Sequence, residues 1–114
     1  MIAVCGLAAA GCGPAVVPGQ TRPRVRIQQT KLVTQGRRLF VEQRCGSCHA
    51  LAAVRARGGS GPDFDTSERL DRAQILASLS EGANGMPSYA GRLSIEQRRA
   101  VTGFLYVSTH RGPR

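Results

Sequence analysis

The feature that most constrains this chain is the segment RCGSCHA, residues 44–50. Cys45 and Cys48 have the C-x-x-C spacing, and His49 follows directly. Three chemistries use such a segment: a redox-active dithiol, part of a zinc site, and covalent attachment of haem. The other residues of the chain have to discriminate among these three.

The charge of the chain is concentrated outside its central part. The chain has 114 residues, which is enough for one domain, and a formal charge of +9. Residues 34–110 hold ten arginines and seven acidic residues, a balance of only +3. The remaining excess of positive charge lies in the two ends of the chain, which is typical of solvated tails; the alternative is a docking patch for anionic lipid or an acidic partner. Nucleic-acid binding is not expected, because no recognition motif is present and aromatic residues make up only 4%.

The N-terminal residues predict export and a tether. Residues 1–12, MIAVCGLAAAGC, form a short apolar run typical of an export segment. Within it, AAAGC resembles the bacterial lipoprotein cleavage box, in which the cysteine, here Cys12, becomes lipidated. Ordinary secretion and a retained anchor are the alternatives. Residues 13–33 contain three prolines and no acidic residue, and predict a basic linker. A folded domain is expected over 34–110, followed by a basic tail, 111–114.

The first helix is expected to begin near Thr34 and to run into Cys45. The apolar positions at helical spacing, among them Leu39 and Phe40, predict one buried face. Gly36 falls on that face, where glycine costs up to ~1 kcal/mol relative to alanine. A second helix that crosses closely would explain this glycine, and simple tolerance is the alternative.

Two further helices are predicted from their end signals. In DRAQILASLSEG, Asp71 is a candidate N-cap and Gly82 a stop signal. In the last helix, IEQRRAVTGFLYVST, Ser94 and Gln97 predict a capping box. Glycine-rich loops connect the helices, and no convincing alternating strand pattern is present. The pattern therefore predicts an all-α domain.

These helices bear on the three chemistries. A thioredoxin-like dithiol follows a buried strand, whereas the segment before Cys45 is predicted to be helical. A structural zinc site usually needs four ligands, and this segment supplies three. Haem attachment accounts for all three residues: Cys45 and Cys48 can form thioethers with the two vinyl groups, and His49 is then held beneath the iron.

Met86 is the candidate for the sixth iron ligand. Apart from Met1 it is the only methionine, and it lies in the loop GANGMPSYAG between two helices. Gly82 and Gly85 allow the backbone to approach a flat macrocycle, and Pro87 stiffens the loop. A methionine that merely fills a gap in the core is the alternative. Beside C-x-x-C-H, ligation of iron is the favoured interpretation.

The chain resembles the small bacterial mono-haem class I c-type cytochromes over about residues 33–109. The resemblance rests on GRRLFVEQRCGSCH, GPDF, GMPSYAGRL and the final helix, in that order. It implies a cytochrome c-like fold, in which about three helices and glycine-rich loops wrap one covalently bound haem c. Gly36 and Phe40 match the glycine and the aromatic residue of the family's first helix. Phe104 is the better match for the aromatic residue of the last helix, with Tyr106 as the alternative.

The resemblance also implies details of the site. GPDF matches the family's Gly-Pro turn, in which the carbonyl of Pro62 accepts a hydrogen bond from Nδ1 of His49; an ordinary turn proline is the alternative. Met86 follows His49 by only 37 positions, which predicts a more exposed haem edge. Four side chains could meet a haem propionate, and the sequence does not choose among them: Arg55, Arg57, Tyr89 and Arg92.

The function implied by the resemblance is one-electron transfer, without enzymatic activity of the chain itself. If His49 and Met86 fill both axial positions, neither is open to oxygen or peroxide. The expected partners are redox proteins, such as a quinol-oxidising complex, a terminal oxidase or other cytochromes, and the membrane through a lipidated Cys12. The expected location is the extracytoplasmic face of the bacterial cell membrane or the periplasm. A five-coordinate gas sensor or weak peroxidase, and a fixed haem subunit of an oxidase or dehydrogenase complex, are the alternatives.

Overall fold

The computed structural model describes residues 11, 13, 23–67 and 69–111. Three α-helices form its framework: α1 (Pro23–Glu42), α2 (Arg72–Glu81) and α3 (Ile95–Thr109). Between α1 and α2 the chain forms two single-turn 3-10 helices, Cys45–Ser47 and Ala52–Val54, and a small antiparallel pair of strands, β1 (Ala50–Leu51) and β2 (Ala56–Arg57). The predicted all-α class with three helices is confirmed, and the two-residue strands are an addition to it.

Helix α1 begins earlier than predicted. It starts at Pro23 rather than near Thr34, so residues 23–33 of the expected linker are helical. Proline suits the first helical position, because its fixed φ fits a helix and its missing N–H would be unpaired there. No further proline and no glycine follows before Gly36, so nothing in this stretch interrupts a helix. No helix of the described ranges is long and apolar enough to cross a membrane.

Other predictions lie outside the described residues. These are the export segment with Cys12, most of residues 13–22 of the linker, and residues 112–114 of the basic tail. They remain predictions.

Helices α1 and α3 cross closely at Gly36. A Cβ atom placed on this glycine would lie 2.5 Å from the carbonyl carbon of Ala100 and 2.8 Å from Cβ of Phe104. Next to the crossing, the ring of Phe40 packs edge-on against that of Phe104, with centroids 5.8 Å apart. The expectation that a second helix excludes a side chain at Gly36 is therefore confirmed, and Phe104 is the aromatic residue of α3 that packs at this crossing.

The predicted caps of α2 and α3 are both present. The Asp71 carboxylate accepts a hydrogen bond from the backbone N–H of Gln74, whose side chain accepts one from the backbone N–H of Asp71. Ser94 and Gln97 make the same reciprocal pair at the start of α3. The helices enclose one apolar core, formed by Leu39, Phe40, Leu51, Phe64, Ile75, Leu79, Tyr89, Leu93, Ala100, Val101, Phe104 and Leu105.

Candidate cofactor site

The C-x-x-C-H segment forms one tight turn directly after α1. Arg44 adopts a left-handed conformation with φ of 58°, which reverses the chain at the end of the helix. The backbone N–H groups of Cys48 and His49 then both donate to the carbonyl of Cys45, at 3.2 and 3.0 Å. The two cysteines and the histidine therefore share one backbone turn against the end of α1.

The two thiols of this turn lie in different environments. Cys45 is half-buried and Cys48 is exposed, and neither forms a disulfide. Burial raises the pKa of the Cys45 thiol to about 11. Hydrogen bonds from Ser60 and then Ser47 lower the pKa of Cys48. One sulfur thus faces the core and the other faces solvent, an arrangement that suits a flat group with one edge at the surface.

His49 is held by contacts with the loop that follows β2. Its Nδ1 lies 2.9 Å from the carbonyl oxygen of Pro62. A carbonyl only accepts hydrogen bonds, so Nδ1 carries the proton and the lone pair of Nε2 is left for a metal. The ring stacks on Phe64, with centroids 4.5 Å apart. A Cβ atom on Gly61 would lie 2.7 Å from Cε1 of the ring, so only glycine leaves room for the imidazole. The hydrogen bond implied by the family resemblance is present.

Met86 is presented by a two-residue turn. Its N–H donates to the carbonyl of Ala83 at 2.8 Å, and the N–H of Ala83 donates back at 3.2 Å. The central residues, Asn84 and Gly85, have φ of 46° and 90°, as a type I′ turn requires. Gly82 lies directly beneath, where a Cβ atom would come 2.6 Å from the carbonyl oxygen of Met86. This turn fixes the backbone of Met86, and its side chain packs partly buried against the core.

The cysteine turn and the methionine loop face the same core. Cys45 and Met86 both pack against the buried cluster that includes Tyr89. The pKa of Tyr89 is raised, chiefly by burial and then by the negative charge that Cys45 carries when ionised. The cysteine turn and the loop that carries Met86 and Tyr89 therefore pack against one apolar core.

The four candidates for propionate contacts fall into two groups. Arg55 and Arg57 line a cavity of about 410 Å³ together with Asp65. The guanidinium of Arg92 lies 5.6 Å above the ring of Tyr89.

The sequence did not indicate two of the residues that surround His49. Phe64 stacks on the imidazole, and its only signal was an aromatic residue two positions after Pro62. Gly58 lies against the cysteine turn, where a Cβ atom would come 2.6 Å from the backbone nitrogen of His49. Its signal was the glycine-rich run RGGSG, which predicted a loop without indicating what the loop contacts.

The donor set of this site fits a covalently held haem. It combines two free thiols on one turn, an imidazole whose Nε2 is available, and a soft thioether on a second loop. Within the described ranges, no group of three or more His, Cys, Asp and Glu side chains is arranged to hold a metal ion.

Comparison with known proteins decides the family. Residues 31–105 match the family model described as "Cytochrome C oxidase, cbb3-type, subunit III". The chain belongs to this family. It is a small class I c-type cytochrome with covalently bound haem c, an electron carrier rather than an enzyme, and its partners are redox proteins.

A solved structure agrees with this assignment. The c-type cytochrome SorU from Sinorhizobium meliloti is 26% identical to this cytochrome, with a TM-score of 0.65. The match covers 70% of this cytochrome and 93% of SorU. No curated protein matches the sequence.

Proposed function

We propose that this cytochrome carries single electrons between redox proteins outside the cytoplasm, and that His49 and Met86 are the two axial ligands of a haem attached to Cys45 and Cys48. The observation that carries the proposal is the 2.9 Å contact between Nδ1 of His49 and the carbonyl of Pro62. It fixes the tautomer of the imidazole and leaves Nε2 as the nitrogen that can bind iron.

Each residue of the proposed site has a separate role. The bound haem supplies a one-electron Fe(III)/Fe(II) couple. His49 is oriented by Pro62 and Phe64, and the hydrogen bond to Pro62 increases its basicity as a ligand. Met86 contributes a neutral, soft sulfur, which favours the ferrous state and raises the reduction potential. Ligation by both side chains would leave oxygen and peroxide no free coordination position on the iron.

The site also suits rapid exchange of electrons with a partner. The methionine turn and the cysteine turn are each closed by backbone hydrogen bonds, which hold the backbone of both proposed ligands in place. Cys48 is exposed, whereas Cys45 lies against the core. We therefore expect the edge of the haem next to Cys48 to be where a partner docks.

The proposed location is the extracytoplasmic face of the bacterial cell membrane or the periplasm, with lipidation of Cys12 as the proposed anchor. Support comes from the apolar segment 1–12 and its AAAGC box. A quinol-oxidising complex is the proposed donor, and a terminal oxidase or another cytochrome the proposed acceptor.

A second candidate function is that of a fixed haem subunit in an oxidase complex. The description of the matching family, which names an oxidase subunit, favours it. Mild detergent extraction of native membranes distinguishes the two candidates. A mobile carrier is released alone, whereas a fixed subunit co-migrates with the other haem-containing chains of its complex.

Visible and near-infrared spectra of the haem-loaded protein test the proposed ligands. We expect acid-stable haem, sharp low-spin ferrous bands, and a sulfur-to-ferric-iron charge-transfer band that disappears in Met86→Ala. The matched control is Pro87→Ala, which changes the exposed neighbour of Met86 and leaves the thioether in place. High-spin spectra and ready binding of carbon monoxide in the unmutated protein would exclude the proposed ligation and favour a gas sensor or weak peroxidase.

A further inference from the structure

Residues 23–32 form the first half of α1, and we call them the α1 extension. Every residue from 24 to 32 is exposed, so no described part of the chain covers this segment. From Val33 onward the same helix packs against the core. The α1 extension is therefore a helical surface without an intramolecular partner among the described residues.

The α1 extension presents apolar side chains to solvent. Val25, Ile27 and Leu32 are 42%, 57% and 44% exposed. Val25 and Leu32 are seven residues apart and so lie on one face of the helix, and Leu39, seven residues further, lies on that same face. Leu39 is buried in the core at 4% exposure. The apolar stripe that packs inside the domain thus continues, uncovered, along the α1 extension.

The α1 extension is also strongly basic. It contains Arg24, Arg26 and Lys31, and none of residues 1–41 is acidic. The first acidic side chain, Glu42, lies in the last turn of α1 and pairs with Arg38 at 3.5 Å. Two copies of such a segment would repel each other, so self-association is disfavoured. A basic helix with exposed apolar residues instead fits an anionic surface.

We propose that the α1 extension lies on the surface of a lipid bilayer that contains anionic lipid. Arg24, Arg26 and Lys31 contact the headgroups, and Val25 and Leu32 enter the boundary between headgroups and acyl chains. The apolar segment that ends at Cys12 lies eleven residues before Pro23, a span of at most ~40 Å. A bilayer that held this segment would therefore lie within reach of the α1 extension. The proposal concerns a surface separate from the haem site and does not depend on ligation by Met86.

Co-sedimentation with lipid vesicles tests the role of charge. The full-length, haem-loaded chain carries Cys12→Ser, so that no acyl chain contributes to binding. We expect binding to phosphatidylcholine vesicles that contain phosphatidylglycerol, weakening with added salt, and much weaker binding to pure phosphatidylcholine. Each basic residue near an anionic surface contributes about fivefold to binding, so Arg24→Gln/Arg26→Gln should weaken binding by about 25-fold. The control Arg98→Gln/Arg99→Gln removes the same charge from α3 and should change binding less than about threefold.

A pair of valines on α1 tests the apolar contact. Val25→Gln should weaken vesicle binding several-fold. Val41→Gln changes the same residue type on the same helix, at 56% exposure, but outside the α1 extension, and should leave binding unchanged. The haem spectrum of each variant checks that the fold is intact, and it reports on the haem site separately from binding.

Three results would overturn the proposal. Equal binding to neutral and anionic vesicles would indicate that the apolar segment 1–12 binds instead. If Arg24→Gln/Arg26→Gln and Arg98→Gln/Arg99→Gln weakened vesicle binding equally, overall charge rather than the α1 extension would govern binding. Binding to neither kind of vesicle would reject lipid as the partner and favour an acidic protein surface.

Discussion

Replacing Gly36 by alanine should destabilise the cytochrome, although alanine is the better helix former. The new Cβ atom would lie 2.5 Å from the carbonyl carbon of Ala100 and 2.8 Å from Cβ of Phe104, roughly 1 Å inside ordinary contact distance. Ala100 contributes backbone, which cannot rotate away, so α1 and α3 must separate. Overpacking costs about 1–3 kcal/mol, and alanine returns up to ~1 kcal/mol of helix propensity. Because the clash is with backbone, we expect the free energy of unfolding to fall by about 2 kcal/mol.

Gly103→Ala is the matched control for this change. Gly103 lies in α3, and a Cβ atom there would meet only Nη1 of Arg72, at an ordinary 3.6 Å. This variant should keep or gain stability, by up to ~1 kcal/mol. Urea unfolding of the haem-loaded proteins, followed by circular dichroism, should place the midpoint of Gly36→Ala about 1–2 M below that of the unmutated protein. A midpoint for Gly36→Ala equal to or above that of the unmutated protein would show that the helices do not cross as described.

Two further changes probe the surroundings of the site. Gly61→Ala places a Cβ atom 2.7 Å from the ring of His49, so we expect partial high-spin character in the ferric absorption spectrum and a loss of about 1–3 kcal/mol in the free energy of unfolding. In the control Gly59→Ala, the new Cβ atom meets nothing within 4 Å, so neither the spectrum nor the stability should change. Identical behaviour of the two variants would contradict the packing of Gly61 against His49. Burial raises the pKa of Tyr89, so the folded state holds the phenol proton more tightly than the unfolded state does. The resulting contribution to the free energy of unfolding is complete below pH ~10 and is lost as the pH rises through the pKa of the folded state. Urea midpoints measured on both sides of pH 10 should therefore fall more steeply for the unmutated protein than for Tyr89→Phe, and parallel slopes would count against this account.

The parts of the fold that local chemistry determines could be predicted from the sequence. Asp71 and Ser94 satisfy the first backbone donors of their own helices, so the caps depend on residues three positions away. Gly36 was also informative, because a glycine on an apolar helix face costs helix stability unless something packs against it. The C-x-x-C-H turn is largely local as well, since the N–H groups of Cys48 and His49 both donate to the carbonyl of Cys45; only the carbonyl of Cys48 reaches further, to the N–H of Gly61.

The features that depend on distant contacts could not be predicted in the same way. The linker assignment relied on prolines and charge, but Pro23 fits a helix start and its exposed basic neighbours do not prevent a helix. The strand pair β1–β2 has only two residues per strand, too few for an alternating pattern. Stacking of Phe64 on His49 requires a loop to fold back over the cysteine turn, and no periodicity encodes that contact.

The type I′ turn that carries Met86 has a consequence for competition between ligands. Ala83 and Met86 hold each other through two backbone hydrogen bonds, so the backbone that carries the thioether stays in place even when the proposed bond to iron is absent. A tethered group rebinds at an effective concentration in the millimolar range or above. If Met86 is a ligand as proposed, added imidazole or cyanide must exceed that concentration before it replaces the thioether, unless its own affinity for the iron is higher. Loosening the turn, for example with Gly85→Ala at φ of 90°, should lower the concentration of added ligand needed.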